Sequence, residues 1–135
     1  MIDGAPDGLR GSGFLPVLNK HLTDWMNTLL DYVRSGQPDL TNRQMALLLL
    51  VYQTQGPHTV RGLARGLNVS KPVVTRALNR LGTLGYLARL RDEHDRRNVF
   101  VATTDAGAKF LDEFGHLVGD RSGSGTTRAV RRAAA

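Results

Sequence analysis

Hydrophobic residues recur along most of the chain at the spacings of amphipathic helices. The first such stretch predicts a helix from Leu15 to about Arg34. Its apolar positions advance alternately by three and four residues, as in a coiled-coil seam: Leu15, Leu18, Leu22, Trp25, Leu29 and Tyr32. Met26, Leu30 and Val33 widen this apolar stripe. A small domain can hardly cover so wide a stripe, so the pattern predicts contact with a second chain. The alternative interpretation is an ordinary core face.

Two further helices are predicted on either side of the chain's middle. Thr41 and Gln44 have the spacing of a capping box, and residues 45–52 are apolar on nearly all sides, which predicts a buried central helix. A last helix is predicted over residues 104–120, with Thr104 as its N-cap. Its apolar face is predicted to support the contact with a second chain: Phe110, Leu111, Phe114, Leu117 and Val118.

Between the central and last helices, the pattern predicts two short helices joined by a tight turn. Val60, Leu63, Ala64 and Leu67 form the apolar face of the first helix. Asn68 tolerates the left-handed backbone that such a turn needs, and Ser70 can cap the second helix. Pro72 fits the first turn of that helix. The inward stripe of the second helix is Val74, Ala77, Leu78 and Leu81.

The opposite face of this second helix carries cations, amides and hydroxyls. It consists of Lys71, Pro72, Val73, Thr75, Arg76, Asn79 and Arg80. Such a face suits an anion with patterned edges, so we predict a helix-turn-helix that enters a DNA major groove. Base edges are predicted to be read by Val73, Thr75, Arg76 and Asn79. Phosphates are predicted to be contacted by Lys71 and Arg80.

A charged loop follows the helix-turn-helix. Gly82 and Gly85 are predicted to end the second helix, and short strands are predicted at residues 86–90 and 98–103. The loop between them, residues 91–97, is too long for a two-residue hairpin and too charged to be buried. We therefore predict a basic wing that reaches the minor groove through three arginines: Arg91, Arg96 and Arg97.

The net charge of +6 is concentrated in this middle region. Residues 59–103 contain nine Lys or Arg and three Asp or Glu, whereas residues 1–58 carry a net −1 and residues 104–120 a net −3. This asymmetry favours a polyanion as the partner of one face, and the alternative is a solvated charged surface.

The chain lacks the residues that most enzymes and metal proteins use. It has no cysteine, so disulfides and thiolate zinc sites are excluded. No phosphate loop or paired-carboxylate site is recognisable, and we predict neither an enzyme nor a cofactor. His116 follows Asp112 at metal-ligand spacing, but without a second histidine the pair is interpreted as exposed polar residues, and no metal is predicted. No apolar run is long enough for a membrane span.

The segment over residues 59–107 resembles the winged-helix domain of the MarR (multiple antibiotic resistance regulator) family of bacterial transcription factors. The matching pieces are LARGLNVSKPVVTRALNRL, the GYL after it, the wing RDEHDRRNVFVATT and the DAG that follows. The resemblance implies a mainly α fold with a small β-hairpin wing, a winged helix-turn-helix flanked by dimerisation helices. It also implies that Arg97 enters the minor groove while Asp95 braces the wing. We predict that Asp95 braces it by pairing with a nearby arginine, with Arg91 as the favoured candidate, which leaves Arg97 free to project.

The resemblance further implies a cytoplasmic, nucleoid-associated homodimeric repressor on a pseudo-palindromic operator. A small hydrophobic or aromatic ligand that binds in a crevice would release the repressor from DNA. The candidate residues that line this crevice are Trp25, Met26 and Tyr52. The alternative interpretation is that these three residues belong to the core or to the dimer seam. Two other functions stay open. One is an effector-independent accessory or architectural DNA binder, and the other is a winged helix that docks on protein.

The predicted domain organisation has three parts. A disordered arm covers residues 1–13, the MarR-like domain residues 14–120, and a flexible basic tail residues 121–135. Within the domain, residues 14–35 and 104–120 are the predicted dimerisation helices. Family members usually continue through a longer C-terminal helix, whereas the apolar pattern here stops near Val118, so a smaller or differently built dimer is expected.

Overall fold

The computed structural model describes residues 18–122, including the side chains of residues 18–119. The elements are α1 (Lys20–Arg34), α2 (Asn42–Gln53), β1 (His58–Thr59), α3 (Val60–Leu67), α4 (Lys71–Thr83), β2 (Leu87–Arg91), β3 (Val99–Thr103) and α5 (Asp105–Ser122). The predicted fold class, mainly α with a small β wing, is confirmed. The predicted arm, Leu15 and residues 123–135 of the predicted tail lie outside the described residues. In the described part, no helix has the length and apolarity needed to cross a membrane.

Helix α1 begins later than predicted. Asn19 has an extended backbone, and its side-chain oxygen accepts hydrogen bonds from the N–H groups of His21 at 2.9 Å and Leu22 at 3.3 Å. Leu18 precedes this cap and is 87% exposed. The predicted helical position of Leu18 is therefore wrong, because the spacing of apolar residues continues across an N-cap without marking it.

Helix α2 lies at the centre of the core, as predicted. The capping box is formed in both directions: Thr41 Oγ1 accepts the Gln44 N–H at 3.1 Å, and Gln44 Oε1 accepts the Thr41 N–H at 3.0 Å. Leu47 and Leu48 are completely buried. These two hydrogen bonds therefore fix the first turn of α2, the helix on which the surrounding helices pack.

The sheet contains one strand that the sequence did not predict. Its order is β1–β3–β2, with both pairs antiparallel, and His58 and Thr59 of β1 pair with β3. Two residues are too short for an alternating pattern to be visible. Thr59 also caps α3, because its hydroxyl accepts the Gly62 N–H at 3.0 Å. Strand β1 thus connects the wing sheet directly to the first helix of the predicted motif.

The hydroxyl of Tyr52 joins α2 to the base of the wing and to the start of α5. It lies 2.7 Å from the carbonyl oxygen of Tyr86 and 3.1 Å from that of Thr104, and it accepts the Thr104 N–H at 2.9 Å. A Cβ on Gly107 would overlap both this hydroxyl and the Tyr86 carbonyl. Residue 107 must therefore lack a side chain for the junction to close.

Helix α5 begins and ends close to the predicted positions. The Thr104 hydroxyl accepts the Gly107 N–H at 3.0 Å, which confirms the predicted N-cap, and it donates to the carbonyl of Gly85 at 2.6 Å. The helix continues to Ser122, so residues 121–122, assigned by prediction to the tail, are helical.

Helix α1 packs on α5 of the same chain, and this accounts for part of the apolar surface assigned to a second chain. The Tyr32 ring stands edge-on to Phe110 and Phe114, with centroid separations of 6.1 and 5.5 Å. Phe110 and Phe114 are 4% and 7% exposed. The aromatic cluster therefore covers most of both rings within one chain, and their contact with a second chain stays a prediction. Leu117 packs, half-buried, against the same core.

The other side of α1 has no cover within the described chain. Val33 is 74% exposed and Leu22 is 56% exposed. We call this surface the α1 stripe: Leu22, Trp25, Met26, Leu29, Leu30 and Val33. Buried Tyr32 and the exposed α1 stripe therefore divide the predicted seam into a core part and a surface part.

Candidate nucleic-acid interface

Helices α3 and α4 meet through a left-handed turn. Asn68 has φ 54° and ψ 48°, as predicted for this position, and the N–H of Val69 bonds to the Ala64 carbonyl at 3.0 Å. Ser70 occupies the N-cap of α4, but its side chain makes no capping hydrogen bond. Its predicted position is correct, and the predicted role of its hydroxyl is not observed.

Helix α4 divides its surface as the sequence predicts. The inward stripe is at most 7% exposed: Val74, Ala77, Leu78 and Leu81. The other face is open to solvent. Lys71, Pro72, Arg76, Asn79 and Arg80 are exposed, and Val73 and Thr75 are half-buried at the rim. The core therefore holds α4 by one side and leaves the predicted reading face uncovered within the described chain.

The end of α4 fixes where the wing starts. Gly85 has a φ of +79°, a left-handed conformation that favours glycine, and the next N–H, of Tyr86, bonds back to the Leu81 carbonyl at 2.9 Å. Gly82, predicted to help end the helix, lies inside it. Gly85 alone makes the reversal that leads into β2.

The wing is a β-hairpin with an ordered loop. Strands β2 and β3 pair from Leu87↔Thr103 to Arg91↔Val99. The carboxylate of Asp95 accepts the Arg97 backbone N–H at 3.0 Å, and the Asp95 carbonyl accepts the Asn98 N–H at 2.9 Å. Asp95 therefore closes the turn from which Arg96 and Arg97 project.

The ion-pair partner of Asp95 differs from the one we favoured. The sequence left the choice of arginine open, with Arg91 preferred, whereas Arg97 Nε lies 3.7 Å from the Asp95 carboxylate. Because the Asp95 carboxylate accepts the backbone N–H of Arg97, the Arg97 side chain is held near that carboxylate. Arg97 is still 91% exposed along its side chain, and Arg91 and Arg96 are also exposed. All three arginines can thus reach an outside partner.

Arg89 is a candidate site residue that the sequence analysis missed. It lies on β2, and its guanidinium donates a hydrogen bond to the side-chain oxygen of Asn79 on α4. The available signal was alternation: Leu87 is buried, so Arg89, two residues on, points to the same side of the sheet, towards the helices.

The three residues predicted to line a ligand crevice lie in different surroundings, and the crevice stays a prediction. Trp25 and Met26 belong to the exposed α1 stripe, whereas the Tyr52 hydroxyl is hydrogen-bonded to backbone groups at the base of the wing. A cavity of about 120 Å³ lies between the end of α1 and α5, with Tyr32 and Glu113 among its lining residues. Burial raises the pKa of Tyr32 above its usual 10.0.

The described residues contain no cluster of three or more His, Asp or Glu side chains that could hold a metal ion. His116 Nε2 lies 3.7 Å from the Asp112 carboxylate on the surface of α5. The pair is an exposed contact between neighbouring helical turns.

The fold and the exposed α4 face define a winged helix-turn-helix protein. The family model of the MarR family matches residues 39–98. The adhesin competence repressor AdcR of Streptococcus pyogenes is 31% identical, with 75% of this chain and 72% of AdcR covered, at a TM-score of 0.50. The chain belongs to the MarR family.

Other relatives extend the comparison. The HTH-type transcriptional regulator FarR of Neisseria gonorrhoeae is 29% identical over 64% of this chain and 58% of FarR. The chain spans 45–66% of the lengths of the curated relatives it matches. The S. aureus MepR–DNA complex, 21% identical with 84% of this chain and 87% of that chain covered, has the same fold at a TM-score of 0.62.

Proposed function

We propose that the protein is a sequence-specific, double-stranded DNA-binding transcriptional regulator. The observation that carries the proposal is the division of α4, whose inward stripe is at most 7% exposed while its cationic and amide face is open. A rigid helix presenting such a face fits the major groove, about 12 Å wide. AbfR and MepR, two proteins of the same fold, have been solved bound to DNA, which supports the same partner here.

The residues divide by the part of the duplex they meet. Val73, Thr75, Arg76 and Asn79 face base edges in the major groove. Lys71 and Arg80 contact phosphates, which fix position without reading sequence. The wing's arginines enter the adjacent minor groove, where a narrow width strengthens the negative potential.

Salt-dependent binding to duplex DNA tests the proposal. Affinity for a mixed-sequence duplex should fall log-linearly with rising salt, by a slope of about −0.9 for each phosphate neutralised. A selection from a randomised duplex library should then return a preferred sequence. If no duplex is bound at low salt, the proposal is wrong and the alternative of a protein-docking winged helix is favoured.

The regulator acts as a homodimer through the α1 stripe. Six large apolar side chains of one helix face are 39–74% exposed, and an uncovered surface of this kind marks an interaction site. A second copy of the chain is its occupant, because two such helices can pack as the sequence pattern predicts. A pseudo-palindromic operator follows from the two-fold symmetry.

Sedimentation measures the oligomeric state and so tests whether the protein forms a dimer. Leu22→Asp combined with Leu29→Asp should give a monomer with weakened DNA binding, whereas Thr23→Glu, an exposed change outside the α1 stripe, should leave the dimer intact. A wild-type protein that remains monomeric at micromolar concentration would contradict this part of the proposal.

Repression would result from occupation of promoter DNA, relieved by a small hydrophobic or aromatic ligand. Thermal-shift screening with aromatic acids, followed by DNA-binding measurements with each hit, tests the relief. If no stabilising compound weakens DNA binding, the effector-independent accessory or architectural role is favoured.

A further inference from the structure

Asn79, a proposed base-reading residue, is already bonded to a side chain of the wing. Its side-chain oxygen accepts a hydrogen bond from Arg89 on β2. The strand register supports this placement independently, because Arg89 lies opposite buried Val101 and two residues after buried Leu87. All three side chains therefore share the sheet face that packs on α4.

The chemistry of arginine fixes which end of the amide remains free. A guanidinium group is a donor only, so the atom of Asn79 that faces it must be the oxygen. The amide nitrogen, with its two hydrogens, then points away from Arg89. Because Asn79 is exposed, those two hydrogens are open to an external acceptor.

We propose that Arg89 sets the base preference of Asn79 by occupying its amide oxygen, so that Asn79 recognises guanine rather than adenine. The inference deepens the proposed function and rests on it. Arg89 acts as a positioning residue, since its effect on the base passes through the Asn79 amide.

The preference follows from the groups on the major-groove edge of each base. A free asparagine amide pairs with adenine by donating to N7 and accepting from the N6 amino group. Here the cationic Arg89 guanidinium donates to one of the two lone pairs of the oxygen, so the amino group of adenine would have to donate to the other lone pair beside a positive charge. Guanine offers two acceptors, N7 and O6, to the two hydrogens of the amide nitrogen. Cytosine presents only a donor and is the least favoured base.

Binding preference at a single base pair tests the inference. A sequence selected from a randomised duplex library is varied one base pair at a time, and the position where Asn79→Ala abolishes discrimination is assigned to Asn79. Wild-type protein should prefer guanine there. Arg89→Ala should change the guanine-to-adenine affinity ratio by at least about fivefold towards adenine, the lower end of what a bidentate contact discriminates.

Two comparisons separate orientation from charge. Arg65→Ala removes an equal charge from the exposed side of α3 and should leave the ratio unchanged. Arg89→Lys keeps both the charge and a donor, and should preserve more of the guanine preference than Arg89→Ala.

Each result has one meaning. An unchanged ratio in Arg89→Ala overturns the inference, as does a wild-type preference for adenine. If Asn79→Ala alters discrimination at no position, the inference fails while the proposed function stands. If the wild-type protein binds no duplex, both fail.

Discussion

The contribution of Asp95 to DNA binding can be separated from its charge. Its carboxylate accepts the Arg97 N–H at 3.0 Å and lies 3.7 Å from Arg97 Nε. The Asp95 side chain is 51% exposed. Asp95→Asn keeps an acceptor for the N–H and removes the charge. Asp95→Ala removes both. The two variants have equal charge, so any difference between them reports the hydrogen bond that closes the turn.

The structure sets the expected size of that difference. One hydrogen bond contributes about 0.5–1.5 kcal/mol, and an exposed ion pair only about 0.2–1 kcal/mol. We expect Asp95→Ala to bind an operator duplex more weakly than Asp95→Asn by about 1 kcal/mol, or roughly fivefold in Kd. Asp95→Asn should bind at least as tightly as the wild type, since it removes an anion beside the phosphates.

Fluorescence anisotropy at two salt concentrations measures both variants, with thermal melting as the check on folding. The ratio between them should persist at both concentrations because their charges are equal. Arg97→Ala should instead reduce the salt slope by about one unit. Equal affinities for Asp95→Ala and Asp95→Asn would refute the bracing role and show that the wing acts only as a basic loop.

Two further predictions concern the junction beneath the wing. Gly107→Ala forces a Cβ into the Tyr52 hydroxyl and the Tyr86 carbonyl and should destabilise the fold by about 1–3 kcal/mol in chemical denaturation, whereas Gly115→Ala, with open space on the same helix, should be neutral or stabilise by up to about 1 kcal/mol. Tyr52→Phe leaves the Thr104 N–H without its 2.9 Å acceptor and should lower the free energy of unfolding by about 1–3 kcal/mol; an unchanged denaturation midpoint would show that the hydroxyl is dispensable.

Local patterns predicted the helix-turn-helix because its signals lie within a few residues of one another. The stripe of α4, the left-handed Asn68 and the capping box of α2 all depend on neighbouring positions, and the structure has each of them. The reading face of α4 follows from the same periodicity, since a helix that buries one side exposes the other.

Contacts between distant segments were not predictable in this way. Periodicity indicated that Tyr32, Phe110 and Phe114 lie on apolar faces, but not that α1 and α5 of one chain cover one another. The bond between Arg89 and Asn79 depends on how the wing folds back on α4, which no local spacing encodes. Strand β1 was not predicted because a strand of two residues is too short to show an alternating pattern.

The central claim is that the open face of α4 reads DNA sequence, and specificity ratios of two variants test it most directly. Affinities for a selected operator and for a scrambled duplex are measured for the wild type, Lys71→Ala and Arg76→Ala. Lys71→Ala should weaken both complexes equally, because phosphates carry no sequence. Arg76→Ala should abolish preference at one base pair, a loss of about 1–3 kcal/mol for that duplex alone. Uniform losses in both variants would contradict the claim.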